Sequence, residues 1–356
     1  METLYPLQFK DILKDKIWGG RNLEKVLGKA LPPAKPIGES WEISDHGEDT
    51  SIIAGGSLDG RSLHQAMQQL DEKLLGTQVK ANLDRGVFPL LVKFLDASDR
   101  LSVQVHPDDA YAAAHEGPEE LGKTECWYII HAEPNAKLIV GVREGVTPDS
   151  FRQGIEQNEL EQYLQEIPVA AGDFIFIPSG TLHAIMEGIV LCEIQQNSDT
   201  TYRVYDWGRV GLDGKPRDLH IQQSLDTIDF TFDPDPKTAG VTVNQGSNAI
   251  THYAACRYFA VQKLDLSESL AGTCDGRHFV CLCATDGQVE VQYGNGAAVL
   301  EKGRSMLLPA ALGDYTLLPD GKCELIRSFV PDIQADVIKL LSAQGISRDK
   351  INSILK

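Results

Sequence analysis

The chain has 356 residues, of which 42% are hydrophobic, and carries a formal net charge of −18. That length accommodates two domains of ordinary size. The acidic balance opposes a polyanionic partner, and no apolar run approaches the ~20 residues that cross a bilayer, so neither nucleic acid nor membrane is expected as a partner.

The first residues, Met1-Glu2-Thr3-Leu4-Tyr5-Pro6-Leu7, lack a basic segment followed by an apolar one, so no secretory leader is expected and a cytoplasmic location is. The cysteines Cys126, Cys192, Cys256, Cys274, Cys281, Cys283 and Cys323 are odd in number and sit mostly in apolar runs without a Cys-x-x-Cys pair. Buried free thiols are therefore expected, and neither disulfides nor a thiolate metal site.

Residues 63–75 have helical spacing of apolar positions, whereas 89–95 and 101–105 read as strands. Pro107 and the acids after it predict a helix from Asp108 to His115. Residues 126–130 and 136–142 are strand-like, and Thr147 with Pro148 opens a helix predicted to run to about Glu166. Short strands follow at 173–177, 183–186 and 189–195, separated by Gly or Pro turns, a rhythm of sandwiches and barrels. Residues 226–250, with Asp233-Pro234-Asp235-Pro236, read as a linker. Alternation resumes over 251–330 as a second, smaller β unit. Its two histidines, His252 and His278, are not a close pair, so no second metal site is expected there. Residues 331–356 read as two short helices. The expected organisation is a metal-binding domain over 1–235, a smaller β-sandwich domain over 236–330 and a helical tail over 331–356.

Two segments fit together as one metal site. Gln104 and His106 alternate along a strand and so share a face. Glu125 lies at the start of the next strand, and His183 follows the turn Pro178-Ser179-Gly180. Two nitrogen and two oxygen donors suit a divalent ion with Lewis-acid work to do. One zinc ion per chain is expected, with iron and manganese fitting nearly as well.

The spacing of Gly172, Pro178, Gly180 and His183 resembles the second motif of the cupin superfamily, small double-sheet barrels that hold a metal inside. The first cupin motif normally offers His-x-His and a nearby Glu. Here Gln104 stands for the first His, an insertion delays Glu125, and Glu187 replaces the final Asn of the second motif. A closer resemblance is carried by 88–96, 101–108, 123–128 and 193–203, together with Trp18-Gly19 and Gly38-Glu39-Ser40-Trp41. These segments resemble type I mannose-6-phosphate isomerase, in its short bacterial branch. The family's Glu, Ser, Asp and Arg fall on Glu193, Ser198, Asp199 and Arg203. One departure is Gly122, where the longer branch has His, so a proton-transfer role for that His does not carry over.

The resemblance implies a mainly β fold with helical insertions: a cupin-type jelly-roll catalytic barrel plus a smaller, degenerate cupin-like C-terminal domain. It implies interconversion of mannose 6-phosphate and fructose 6-phosphate through a metal-stabilised cis-enediol, and a small phosphosugar as the partner of a monomer or homodimer. Arg203 is catalytic by its match to the family's active-site Arg. A guanidinium is no base at neutral pH, so it would stabilise developing negative charge. Lys123 and Glu193 are the candidate proton carriers, and the sequence does not separate them. Lys93, Ser102 and Lys123 are candidates for the phosphate. Arg209 reads as the structural partner of an acid, and Trp18, Trp41 and Trp127 could line the sugar pocket, although buried tryptophans are usually core. Two rival readings are another metal cupin enzyme, such as an iron oxygenase, and a non-catalytic sugar-phosphate-binding cupin. Gln104 and the Lys/Arg set argue against the first, and retention of Arg203 with all four ligands argues against the second.

Overall fold

A computed structural model describes residues 4–356. Leu90–Ala97 and Ile189–Gln196 are buried at every position, which is why both faces of each strand carry apolar residues, broken only by polar side chains such as Lys93 and Glu193. They lie in the middle of a six-stranded antiparallel sheet ordered Phe174–Ile177, Glu125–Ala132, Ile189–Gln196, Leu90–Ala97, Ile37–Ile43, Ile12–Gly20. Facing it is a five-stranded sheet ordered Leu164–Pro168, Lys137–Val142, His183–Ile185, Val103–Val105, Tyr202–Tyr205. Leu95, Trp127 and Leu191 of the first sheet pack on Leu138, Val140 and Ile185 of the second, closing a jelly-roll sandwich.

The second unit repeats this plan. Its larger sheet runs Leu7–Gln8, Ser305–Leu308, Val280–Asp286, Cys323–Phe329, Ala260–Leu266, Asn248–Ala255, Val241–Gln245, against a four-stranded sheet formed by Leu270–Cys274, Gly313–Pro319, Val289–Tyr293 and Gly296–Leu300. The two large sheets pack back to back. Phe94, Cys126 and Cys192 of the first meet Val261, Cys281, Cys283 and Leu307 of the second in one apolar cluster, with the helix Leu63–Leu70 against its side. All seven cysteines are buried and free, as expected.

Several expectations need correction. The helix opened by Thr147 is capped as expected, Thr147 accepting from Ser150 N–H with Pro148 first, but it ends at Glu156. Asn158 then takes a left-handed φ of 59°, and 164–168 is a strand. The 63–75 helix breaks at Asp71, whose φ is 50°. The apparent linker contains the strand Val241–Gln245, an edge strand of five residues with only Val241 buried, so its alternation is too short and too polar to stand out. The N-terminal Leu7–Gln8 pairs with Leu307 and Met306, crossing into the second unit's sheet. The tail forms helical turns over Ile333–Lys339 and Leu340–Ala343 and a helix over Arg348–Ile354, packed on Val241, Ala260 and Phe329.

Phe88 and Phe279 meet across the two units with ring centroids 5.0 Å apart, both fully buried. Phe279→Ala is expected to cost about 3–5 kcal/mol and to keep a single cooperative urea transition, because the shared core couples the units. Two resolved transitions in the unmutated chain would show that the units unfold independently.

Candidate active site

The register of each sheet aligns the site residues in two rows. In the five-stranded sheet, Gln104 pairs with His183 on one side and Arg203 on the other. In the six-stranded sheet, Glu193 pairs with Lys93 on one side and Trp127 on the other. Alternation turns both rows into the sandwich interior, where Gln104, Arg203, Lys93, Glu193 and Trp127 line one cavity of about 280 Å³ together with Ser102 and Lys123.

In a buried floor behind Gln104 and Lys123, which line the cavity, His106, Glu125 and His183 have donor atoms within 4.8 Å of one another. His106 Nδ1 is 2.9 Å from the Thr200 carbonyl and His183 Nδ1 is 2.9 Å from the Thr181 carbonyl. Each carbonyl accepts from Nδ1–H, which leaves both Nε2 lone pairs facing the centre. Glu125 lies between them, its oxygens 3.5 Å from His106 Nε2 and 3.4 Å from His183 Nε2. Burial, with Lys123 nearby, drives the His106 pKa well down, and burial takes His183 to about 4, so both rings are neutral as a ligand must be. His106 Nε2 and Glu125 Oε1 are buried without a hydrogen-bond partner. Buried polar atoms are not normally left so, and a divalent cation satisfies them. The Gln104 amide is 3.3 Å from His183 Nε2, and turning the amide over presents its oxygen to the same centre. The four expected ligands therefore converge.

Above the floor, Trp127 Nε1 donates to Glu193 Oε1 at 3.0 Å. Lys93 is buried between Glu39 and Glu193, 3.8 Å from each, and 4.0 Å from Asp199. Burial and the neighbouring Glu125 carboxylate raise Glu193 to about 7 against the pull of Lys93 and Lys123. Burial would raise Glu39 too, but Lys93 and Lys16 hold it at about 2. Burial opposes the charge on Lys123, but Glu125, Glu193 and Asp199 outweigh it and raise its pKa. On the other wall Arg203 Nε donates to Ser102 Oγ at 3.3 Å and its Nη1 to the Asp218 carbonyl at 2.9 Å. Arg209 pairs with Asp206 at 3.0 Å, the structural role expected of it. The cavity is also lined by Lys16, Glu39 and Arg217, which the sequence did not single out, and by Trp18 and Trp127, for which it left pocket and core both open. Glu39 stood inside a quoted motif, whereas Lys16 and Arg217 had no motif to mark them.

Two family models match the chain: the type I phosphomannose isomerase catalytic domain over residues 6–120 and the mannose-6-phosphate isomerase cupin domain over 249–330. A probable mannose-6-phosphate isomerase of Bacillus subtilis is 39% identical, covering 91% of this chain and 99% of its own. The mannose-6-phosphate isomerase of Streptococcus mutans is also 39% identical, over 91% and 98%. The crystal structure of the Bacillus subtilis mannose 6-phosphate isomerase superposes with a TM-score of 0.82 at 34% identity, over 91% of this chain and 99% of that one. The chain belongs to the type I mannose-6-phosphate isomerase family. Its mainly β, cupin-type architecture and its class as a metal-dependent isomerase are thereby borne out.

Gly122 sits where a side chain has no room. A Cβ there would lie 2.5 Å from the backbone of Asp108 and of Asp109, so a larger residue would push apart the segment that follows His106. The close approach serves a hydrogen-bonded clamp. Asp109 Oδ1 accepts from Gly122 N–H and from Gln196 Nε2, both at 2.9 Å. Gln196 Oε1 in turn accepts from Thr124 N–H at 2.9 Å. Tyr258, from the second unit, donates to Asp109 Oδ2 at 2.7 Å. Lys123 and Glu125 flank Thr124 and are held in place through it. Gln196→Leu keeps the volume but removes the clamp, and is expected to weaken metal binding about 10–100-fold with little change in secondary structure. Chelator competition measures this, and unchanged metal affinity in the folded variant would refute the clamp.

Proposed function

We propose that this chain interconverts mannose 6-phosphate and fructose 6-phosphate, using one zinc ion held by Gln104, His106, Glu125 and His183. The observation that carries the reading is the orphaned pair of His106 Nε2 and Glu125 Oε1, set beside Lys123, which lines the same cavity as Glu193 and Arg203. When bound there, a divalent ion would polarise the sugar's carbonyl oxygen as a Lewis acid.

Glu193 is the proton carrier in this reading. Its Oε1 is fixed by Trp127, which leaves Oε2 to take the proton from one sugar carbon and return it to the neighbour. Lys123, kept protonated by the carboxylates around it, donates to the sugar's oxygens. Arg203 offsets the negative charge of the enediol stage and fixes the substrate's orientation. Ser102 binds the phosphate with Arg203 and Arg217, on the wall where cationic groups gather. Lys93 contacts the sugar hydroxyls, because its charge is already shared among three carboxylates. Trp18 and Trp127 exclude water from the reacting carbons.

Turnover of mannose 6-phosphate is expected to vanish on chelation, to return with zinc, and to be lost in His183→Ala. Metal-loaded chain with no turnover would sink the reading, and native chain purified with stoichiometric iron would displace zinc. Glu193→Gln is expected to lower kcat by about 10²–10⁴-fold while retaining the metal. Because the base must be ionised, activity in the unmutated enzyme is expected to rise with pH through about 7, the value to which burial takes Glu193. An acid limb unchanged by Glu193→Asp would assign the proton to another group.

A further inference from the structure

The second sandwich also has a polar end. Its interior is apolar where Leu264, Leu282, Leu317 and Leu325 meet. Two residues along the same strands, Gln262 and Arg327 occupy the same inward face and pair directly across the ladder. There a cavity of about 250 Å³ opens, with Arg327, Gln262, His278 and Tyr315 in its wall beside the ion-paired Arg277 and Asp336.

Arg327 is held in place by neutral groups. Its Nε donates to Gln262 Oε1 at 2.6 Å, and Gln262 Nε2 lies 3.0 Å from His252 Nδ1. Gln262 and His252 are both buried, and burial with Arg327 nearby keeps His252 neutral, so its Nδ1 accepts. Tyr315 stands in the same wall, its hydroxyl able to donate into the cavity. Among the described residues no carboxylate lies within ion-pair distance of Arg327. The acids nearby, Asp275 and Asp336, are taken by Arg277 at 2.7 and 2.5 Å. In a chain of net charge −18, a half-buried guanidinium with no acid beside it needs another source of negative charge. Arg203 in the active site has the same signature, a guanidinium oriented by a hydroxyl and a carbonyl and otherwise open to its cavity. His278 Nδ1, also in this wall, is buried without a hydrogen-bond partner.

We propose that the cavity of the second sandwich is a binding site for a small oxyanion, a phosphate or carboxylate group, with Arg327 as its charge partner and the Tyr315 hydroxyl as a second donor. The site is separate from the catalytic cavity and does not depend on which sugar phosphate the latter takes.

The test is calorimetric titration, at low ionic strength, of the full chain carrying Arg203→Met, with inorganic phosphate and separately with citrate as probes. Saturable binding of at least one ion is expected, weakened about tenfold or more when Arg327→Met is added. Arg327→Met alone is expected to leave isomerase turnover within about twofold, since it touches nothing in the first sandwich. Binding of phosphate alone points to a phosphorylated ligand, and of citrate alone to a carboxylate. Should Arg327→Met fail to fold, Tyr315→Phe makes the same comparison. No saturable binding of either ion, or equal binding with and without these groups, overturns the proposal.

Discussion

Burial of the six-stranded sheet on both faces is the constraint from which the rest of the molecule follows. Along Leu90–Ala97 and Ile189–Gln196 every side chain is buried, so each residue is committed to one of two interiors. Lys93, Leu95, Leu191 and Glu193 face the catalytic sandwich, and Phe94, Cys192 and Ile194 face the second unit. A slip of one residue would drive Lys93 and Glu193 into an apolar interface and empty the active site at the same stroke. Register is therefore specified twice, by apolar packing on one face and by charge on the other.

The charged groups inside the barrel are tolerable because they are grouped. Lys93 alone would be costly at 3% exposure, but three carboxylates surround it. Those carboxylates do not behave alike. Glu39 has two lysines and the Trp41 indole and stays ionised down to about 2, whereas Glu193 shares its lysines with Glu125 and rises to about 7. Two acids held apart in this way divide the labour, one a permanent counter-charge and the other able to exchange a proton near neutrality.

What was legible in the sequence was what lies close along the chain or recurs with a fixed spacing. Gln104 with His106, and the turn that delivers His183, could be read directly, and the alternation of the strands put their side chains on the right face. The backbone supports that reading: Gly180, at a φ of 87°, donates its N–H to the His106 carbonyl and so ties the second motif to the first. What escaped depended on long-range pairing. Nothing local marks Lys16 or Arg217 as cavity residues, or Leu7–Gln8 as a strand of the distant sheet. The helix predicted to reach Glu166 fails at Asn158 because a polar run with a left-handed Asn outweighs the few apolar positions beyond it, and those positions find partners as a strand edge. Gly122 could be read only as a missing His, since its tight approach to Asp108 and Asp109 exists only in the fold.

The same long-range view explains what the second unit contributes to the first. Of the two sandwiches only the first has converging imidazole and carboxylate donors among the described residues. The second supplies the back of the shared core, and through Tyr258 it grips Asp109, the acceptor on which the Gly122–Thr124 segment rests. Arg257 reaches the same carboxylate at 2.9 Å from an exposed position, where an ion pair alone adds little. The weight of the contact lies with the tyrosine, whose hydroxyl delivers a directed bond to an acid already committed to two others. The backbone that carries Glu125 is in this way braced from outside the barrel that contains it.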